Sequence, residues 1–139
     1  MKTVVLLDTG PLVTFLATGL NHHDWVRDQW KRLHPPLLIC ESVLTEAAFL
    51  LKREKREPDP LFALLERGVL QVGLEIKDHL PDLRVLMHRY RDQPMSLADA
   101  CLVRLAELHP GGVIFTLDTD FRIYRRHGNK VIPVLMPEE

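Results

Sequence analysis

The sequence predicts an α/β protein, a three-layer α/β/α sandwich built on a central, mainly parallel sheet of about five strands. Short apolar runs, typical of buried strands, alternate along the chain with longer segments in which apolar residues recur every three or four positions. This alternation predicts parallel strands joined by right-handed helical crossovers. The chain has 139 residues, of which 46% are hydrophobic and 27% charged, so we expect one globular domain over residues 1–139.

The predicted strands are short apolar runs rich in Val, Leu and Ile. They are too short for buried helices, and glycine or charged residues follow several of them directly. In chain order they cover residues 4–7, 37–40, 69–72, 113–116 and 131–134.

The predicted helices occupy the segments between these strands. Pro35 and Pro36 end one of them, Pro81 must lie in the first turn of another, and Gly111 and Gly112 end the most strongly periodic one. In chain order the helices cover residues 12–17, 22–33, 42–54, 61–67, 76–90, 96–108 and 121–127.

Net charge and apolar run length narrow the class of protein. The net charge is -1, so a nucleic-acid partner would have to be bound by a local basic patch rather than by a global field. No apolar run approaches the length of a membrane span and the N-terminus lacks a signal sequence, so we expect a cytoplasmic protein. Cys40 and Cys101 follow no metal or redox spacing and are predicted to be small buried hydrophobes.

The stretch VVLLDTGPLV, residues 4–13, places a carboxylate where the first strand ends. Thr9 can cap the next helix, Gly10 permits a close backbone approach, and Pro11 suits a first helical turn. Ligands of open α/β sheets gather at the carboxyl ends of the strands, which makes Asp8 a candidate functional residue. The alternative is an Asp that only caps a helix.

Further acids occupy comparable places. Asp118 follows the fourth strand in TLDTD as Asp8 follows the first, so both carboxylates should emerge at the same edge of the sheet. Glu46 in LTEAAF and Asp99 in LADACL are flanked by apolar residues, which predicts that both lie near the core-facing side of their helices. Asp120 lies two residues beyond Asp118.

Each of these acids also has a purely structural interpretation. Asp99 can complete a capping box with Ser96, Glu46 can face solvent, and Asp120 and Asp118 can belong to a helix cap and a turn. Four acids that converge would repel one another unless a cation neutralised them. Carboxylates without His or Cys at ligand spacing favour Mg²⁺ or Mn²⁺, and such a site suits phosphodiester hydrolysis.

Four motifs in order, LLDTGPLV, SVLTEAAFLL, PMSLADACLVRLAE and VIFTLDTDF, resemble the PIN domain, and more narrowly its single-domain toxins of VapC type. The resemblance covers nearly the whole chain and implies a parallel sheet flanked by helices and metal-dependent endoribonuclease activity. It also implies homodimers, an RNA substrate, and an inhibiting antitoxin protein of a type II toxin–antitoxin pair. By resemblance the acids of the site are Asp8, Glu46, Asp99 and Asp118, with Asp120 as an accessory acid and the Thr9 and Thr116 hydroxyls orienting acids or waters.

Specific roles follow as a hypothesis. Mg²⁺ or Mn²⁺ would bind Asp8 and Asp99, with Asp118 completing the coordination, while Glu46 would orient or deprotonate the attacking water. RNA approaching an acidic site needs cations around the rim. Arg122, Arg125 and Arg126 closely follow the Asp118 loop and are favoured among the basic residues of the chain, although such charges can also be a solvated surface. The other basic candidates are Lys52, Arg53, Lys55, Arg56, Arg89, Arg91 and Lys130.

Two other functions remain open at this point. One is a non-catalytic, PIN-like RNA-binding or scaffold module, which loss of an acid would favour. The other is a phosphotransfer domain of receiver type. A receiver domain needs an Asp after its third strand, and residues 69–73 supply none.

Overall fold

The computed structural model describes residues 2–138 and contains two sheets. Strands β1 (Val5–Leu7), β2 (Leu37–Cys40), β3 (Leu70–Leu74), β4 (Val113–Phe115) and β7 (Val134–Leu135) form the larger one. Its order is β3-β2-β1-β4-β7 and every neighbouring pair is parallel. Strands β5 (Arg125–Arg126) and β6 (Lys130–Val131) pair separately as an antiparallel hairpin. The predicted α/β sandwich with a five-stranded parallel sheet is confirmed.

Six α-helices flank the sheet. They are α1 (Thr9–Leu16), α2 (His23–Trp30), α3 (Glu41–Arg53), α4 (Asp59–Glu66), α5 (Leu80–Arg89) and α6 (Leu97–Leu108). Two 3-10 turns, Ile76–Asp78 and Thr119–Arg122, precede α5 and β5 respectively. Within residues 2–138, the helices are all too short or too polar to cross a membrane.

The core lies between the central strands and α6. Leu6 and Leu7 of β1 are fully buried, and α6 contacts strands β1, β2, β3 and β4. Most of α6 is buried, because its helical repeat carries apolar residues on nearly every side. Cys40 and Cys101 are buried free thiols, as predicted. Because α6 is buried, its residue Asp99 lies in the interior of the protein.

The third strand extends one residue beyond its predicted glycine end. Gly73 lies inside β3, at the point where the pairing with β2 shifts register between Ile39 and Cys40. A Cβ on Gly73 would lie 3.2 Å from Leu105 Cδ2 and 3.3 Å from Leu38 Cβ, so the missing side chain lets these residues pack closely. Glycine inside a strand commonly marks such an irregularity.

The predicted helix over 76–90 is divided in two. A 3-10 turn covers Ile76–Asp78, and α5 starts only at Leu80, with Pro81 in its first turn. Proline has no N–H to donate and is tolerated in a first helical turn but not in a helix interior, so the helix starts anew just before Pro81.

The prediction of a helix over 121–127 is wrong beyond residue 122. The chain leaves the 3-10 turn and enters the β5–β6 hairpin, whose turn contains His127 with φ 50° and Gly128 with φ 85°. The predicted strand over 131–134 is divided at Pro133, between β6 and β7. Since proline cannot donate to a strand ladder, one continuous strand is disfavoured there.

Candidate active site

Asp8 lies at the carboxyl end of β1 and is also the N-cap of α1. Its side chain is only 7% exposed. Its Oδ1 accepts a hydrogen bond from the Thr9 backbone N–H at 2.7 Å, and its Oδ2 accepts one from Thr116 Oγ1 at 2.7 Å. Asp8 therefore caps a helix, and it also lies at the carboxyl edge of the sheet, where ligands of open α/β sheets gather.

Burial dominates the electrostatics of Asp8. It raises the pKa of the carboxyl group from 3.8 to about 7, against the lowering effect of the hydrogen bonds from Thr116 and Thr9. The value of about 7 includes smaller upward contributions from the charges of Asp99 and Asp118. The Asp8 carboxylate is thus held in an environment that disfavours its negative charge and favours a nearby cation.

Thr116 links two of the acids. This fully buried residue follows β4. Its hydroxyl donates to Asp8 Oδ2 and also accepts a hydrogen bond from the Asp118 backbone N–H at 2.9 Å. Asp118 Oδ1 in turn accepts the Asp120 N–H at 2.9 Å and so caps the following 3-10 turn. The predicted accessory position of Thr116 is consistent with this geometry.

Asp99 lies in the first turn of α6 and is 8% exposed. Ser96 and Asp99 form the capping box: Ser96 Oγ accepts the Asp99 N–H at 3.0 Å, and Asp99 Oδ2 accepts the Ser96 N–H at 3.3 Å. Tyr124 Oη also donates to Asp99 Oδ2, at 3.2 Å. Burial raises the pKa of Asp99, and the charge of Asp118 adds to the rise.

Glu46 occupies the second turn of α3, but its position differs from the prediction. Val43 and Ala47 face the core, whereas Glu46 is exposed. Its Oε1 accepts a long hydrogen bond of 3.5 Å from Thr9 Oγ1. Partial burial and the charge of Asp99 raise its pKa. The apolar neighbours in LTEAAF do not place Glu46 on the buried side, because they are spread around the helix.

One open cleft of about 430 Å³ collects these side chains. It is lined by Asp8, Thr9, Gly10, Glu46, Leu50, Asp99, Leu117, Asp118 and Thr119. All four predicted catalytic acids thus lie on one cleft, although they come from different parts of the chain. Asp120 does not line it. A larger groove of about 970 Å³ along α5 has an apolar and basic lining without a carboxylate.

The donor atoms of the cleft fit a hard divalent cation. Asp8, Asp99 and Asp118 offer carboxylate oxygens, the ligands that Mg²⁺ and Mn²⁺ prefer. In the part of the chain that the structure describes, no three His, Cys, Asp or Glu side chains are close enough together to hold a metal ion already. A cation would therefore have to draw the carboxylates closer or bind partly through water.

The three predicted RNA-binding arginines differ in environment. Arg122 is exposed at the end of the 3-10 turn that Asp118 caps. Arg125 Nη1 donates to the carbonyls of Arg122, Ile123 and Tyr124, at 2.7, 3.1 and 3.1 Å. Arg126 Nη1 donates to the Ala106 carbonyl at 3.3 Å, near the end of α6 remote from Asp99. Arg122 has the most accessible charge, while the other two guanidinium groups bind backbone.

Tyr124 is the site residue that the sequence did not reveal. It belongs to no motif, and it falls in a segment, residues 121–127, predicted to be a short helix. The one signal in the sequence is that Tyr124 is an aromatic residue with a polar hydroxyl, four positions beyond Asp120.

A family model described as the PIN domain matches residues 5–126, and the chain belongs to this family. Among solved structures, the fold is similar to that of VapC20 from Mycobacterium tuberculosis, described as a toxin that cleaves the sarcin-ricin loop. The TM-score is 0.73 and the sequence identity 19%, over 84% of this chain and 91% of that one. None of the curated proteins matches the sequence significantly. At this identity the likeness to VapC20 concerns the fold.

Proposed function

We propose that the chain is a metal-dependent endoribonuclease that hydrolyses RNA phosphodiester bonds. The observation that carries the proposal is the convergence of Asp8, Glu46, Asp99 and Asp118 on one cleft at the carboxyl edge of the sheet. Asp8 and Asp99 are buried, and the charge of Asp118 raises the pKa of both, so their ionisation is costly unless a cation neutralises them. Membership of the PIN domain family supports the same reaction.

The proposed roles follow from the environment of each side chain. Asp8, Asp99 and Asp118 would hold Mg²⁺ or Mn²⁺, which when bound supplies water activation and charge stabilisation at the phosphoryl group. Thr116 holds the Asp8 carboxylate and the Asp118 backbone in a fixed relation. Glu46 is exposed to the cleft and has a raised pKa, so it is suited to orient an attacking water and accept its proton.

Accessory roles are proposed for Thr9, Asp120 and the three arginines. Thr9 orients Glu46 through its hydroxyl, and Asp120 stabilises the turn that carries Asp118. Arg122 is suited to contact RNA phosphates directly. Arg125 and Arg126 are suited to raise the local positive potential while they bind the backbone.

We further propose the biological setting. The chain would act as one domain over residues 1–139, as a VapC-like toxin of a type II pair in the cytoplasm. Its partners would be an RNA substrate, a second copy of the chain and a cognate antitoxin protein. The fold similarity to a VapC toxin supports this setting. Growth arrest on expression, relieved by co-expression of a small neighbouring reading frame, is the expected result; unimpaired growth would contradict the toxin assignment.

The test of the activity is cleavage of a panel of RNAs, including a sarcin-ricin loop oligonucleotide, with Mn²⁺ and then with EDTA. We expect cleavage that is lost in EDTA and in Asp8→Asn. Cleavage that persists in Asp8→Asn would show that Asp8 is not needed for the reaction. Cleavage that persists in EDTA would show that the reaction does not depend on a metal ion. A stable acyl phosphate formed from a phosphodonor would instead indicate a receiver-type domain.

The second candidate is a non-catalytic PIN-like module that binds RNA or serves as a scaffold. The observation in its favour is that the acids of the described residues do not form an assembled metal site. It predicts RNA binding without turnover at saturating Mn²⁺, so the same panel separates the two functions.

A further inference from the structure

The hydroxyl of Tyr124 is deeply buried next to an acid of the proposed site. Tyr124 is the largest of the fully buried side chains, at 0% exposed. The Asp99 carboxylate is the partner of its hydroxyl, at 3.2 Å. A buried hydroxyl needs a hydrogen-bond partner, so this contact is the one that satisfies it.

The ring of Tyr124 is held in place from several sides. Tyr90 and Phe121 pack edge-on against it, with ring centroids 5.1 and 5.4 Å away. The Tyr90 hydroxyl accepts the Arg125 N–H at 2.8 Å, which anchors the backbone next to Tyr124. The Arg125 side chain bonds to the Tyr124 carbonyl. The position of the phenol is thus determined by packing, and the phenol in turn constrains Asp99.

The two oxygens of Asp99 are in different situations. Oδ2 accepts hydrogen bonds from Ser96 N–H and from Tyr124 Oη, whereas within residues 2–138 no protein donor binds Oδ1. A tyrosine hydroxyl carries its proton at neutral pH, so the phenol is the donor in this contact. Two donors on one oxygen leave the other oxygen available to a ligand of the cleft.

We propose that Tyr124 is a positioning residue that orients the Asp99 carboxylate for a divalent cation. The inference rests on the proposed metal-dependent function and adds a residue to it. Groups that orient metal ligands in this way commonly affect metal affinity about tenfold or more. The 3.2 Å distance is longer than the usual value of about 2.7–2.8 Å, so the orientation of Asp99 rests on the packed position of the phenol together with this bond.

The chain offers a matched control. Tyr124→Phe and Tyr90→Phe each remove one hydroxyl from the same aromatic cluster, but only the first contacts a carboxylate. We expect Tyr124→Phe to weaken Mn²⁺ binding to the RNA-free protein about tenfold, measured by calorimetry. At subsaturating Mn²⁺, RNA cleavage should lose about tenfold in kcat with KM for RNA unchanged, since the phenol is fully buried and out of reach of RNA. Tyr90→Phe keeps the ring that packs against Tyr124, so it should lower the unfolding temperature without changing Mn²⁺ affinity.

A double-mutant cycle separates action through Asp99 from a general structural effect. In an Asp99→Asn background, Tyr124→Phe should cause no further loss of Mn²⁺ affinity. Three results would each overturn this role of Tyr124. Wild type and Tyr124→Phe could bind Mn²⁺ equally well, or Tyr90→Phe could lose as much Mn²⁺ affinity as Tyr124→Phe. The third is a loss of Mn²⁺ affinity on Tyr124→Phe that is just as large in the Asp99→Asn background. If the wild type binds no Mn²⁺, both the metal-dependent function and the role of Tyr124 are refuted. If the wild type binds Mn²⁺ and Tyr124→Phe binds it equally well, the function stands and only the role of Tyr124 is refuted.

A second measurement leaves the Tyr124 hydroxyl in place. The chain has two tyrosines, so 3-fluorotyrosine incorporated into the Tyr90→Phe variant labels Tyr124 alone. The ¹⁹F resonance should shift as Mg²⁺ is titrated, because the carboxylate that accepts its hydrogen bond changes charge environment. A resonance that stays unchanged while calorimetry records Mg²⁺ binding would overturn the proposal.

Discussion

Asp8→Asn should stabilise the metal-free protein while it abolishes cleavage. The pKa of Asp8 is raised from 3.8 to about 7, so the folded state binds its proton more tightly than the unfolded state does. The folded protein is therefore penalised when Asp8 ionises. The penalty is absent below about pH 4, grows as the pH rises and is complete above about pH 7.

The expected gain in stability of Asp8→Asn follows from the size of the pKa shift of Asp8. One pKa unit corresponds to about 1.4 kcal/mol, so about three units correspond to about 4 kcal/mol at pH 8. Asn keeps one acceptor oxygen, so it loses one of the hydrogen bonds from Thr9 and Thr116, at a cost of about 1 kcal/mol. We therefore expect the variant to be about 3 kcal/mol more stable at pH 8, and to lose most of this advantage by pH 5.

Urea unfolding in EDTA at pH 8 and pH 5 measures this difference. A gain of about 3 kcal/mol in a chain of this size corresponds to an increase of roughly 10 °C in Tm. Asp92→Asn, at an exposed position, is the control and should change little. Saturating Mg²⁺ should reduce the difference in free energy of unfolding between Asp8→Asn and the wild type, because it stabilises only the wild type. A variant no more stable than wild type at pH 8 would refute the claim that burial of the Asp8 charge is costly.

Two further predictions concern neighbouring side chains. Thr116→Val should reduce cleavage sharply and lower the free energy of unfolding by about 1–3 kcal/mol, since it leaves buried polar groups unpaired. Thr116→Ser keeps the hydroxyl, so its cleavage rate and its free energy of unfolding should be close to those of the wild type. Equal defects in the two variants would indicate a packing effect. Arg122→Ala should weaken RNA binding and reduce its salt slope by about one, with little change in Tm. Arg125→Ala should instead lower Tm, because it frees three carbonyls; the same loss of Tm in Arg122→Ala would contradict this division of roles.

Much of the fold and of the site could be predicted from local sequence patterns. The run before Asp8 predicts a strand end, and the apolar repeat around Asp99 predicts a buried helix; both predictions agree with the structure. The position of Asp118 after a strand predicts that it lies at the same edge as Asp8, and in the structure Thr116 links the two residues. These features depend on residues close in sequence, where periodicity and turn chemistry are informative.

The predictions that failed depend on tertiary context. Residues 121–127 have the spacing of a short helix, but Arg125 and Arg126 pair with β6 instead, and Tyr124 packs into the core. Glu46 is flanked by apolar residues yet is exposed, because its helix buries the face of Val43 and Ala47. Neither outcome is encoded in a short window of sequence, since each is decided by the surface against which the segment packs.

The sequence by itself determined the alternation of strands and helices and the placement of acids at their ends, because both follow from local apolar periodicity and capping chemistry. The tertiary structure alone decided the strand order, the burial of each acid and the partner of each hydroxyl. Asp99 and Tyr124 are 25 residues apart in the chain, and only packing of the segment after β4 against α6 brings the phenol to the carboxylate.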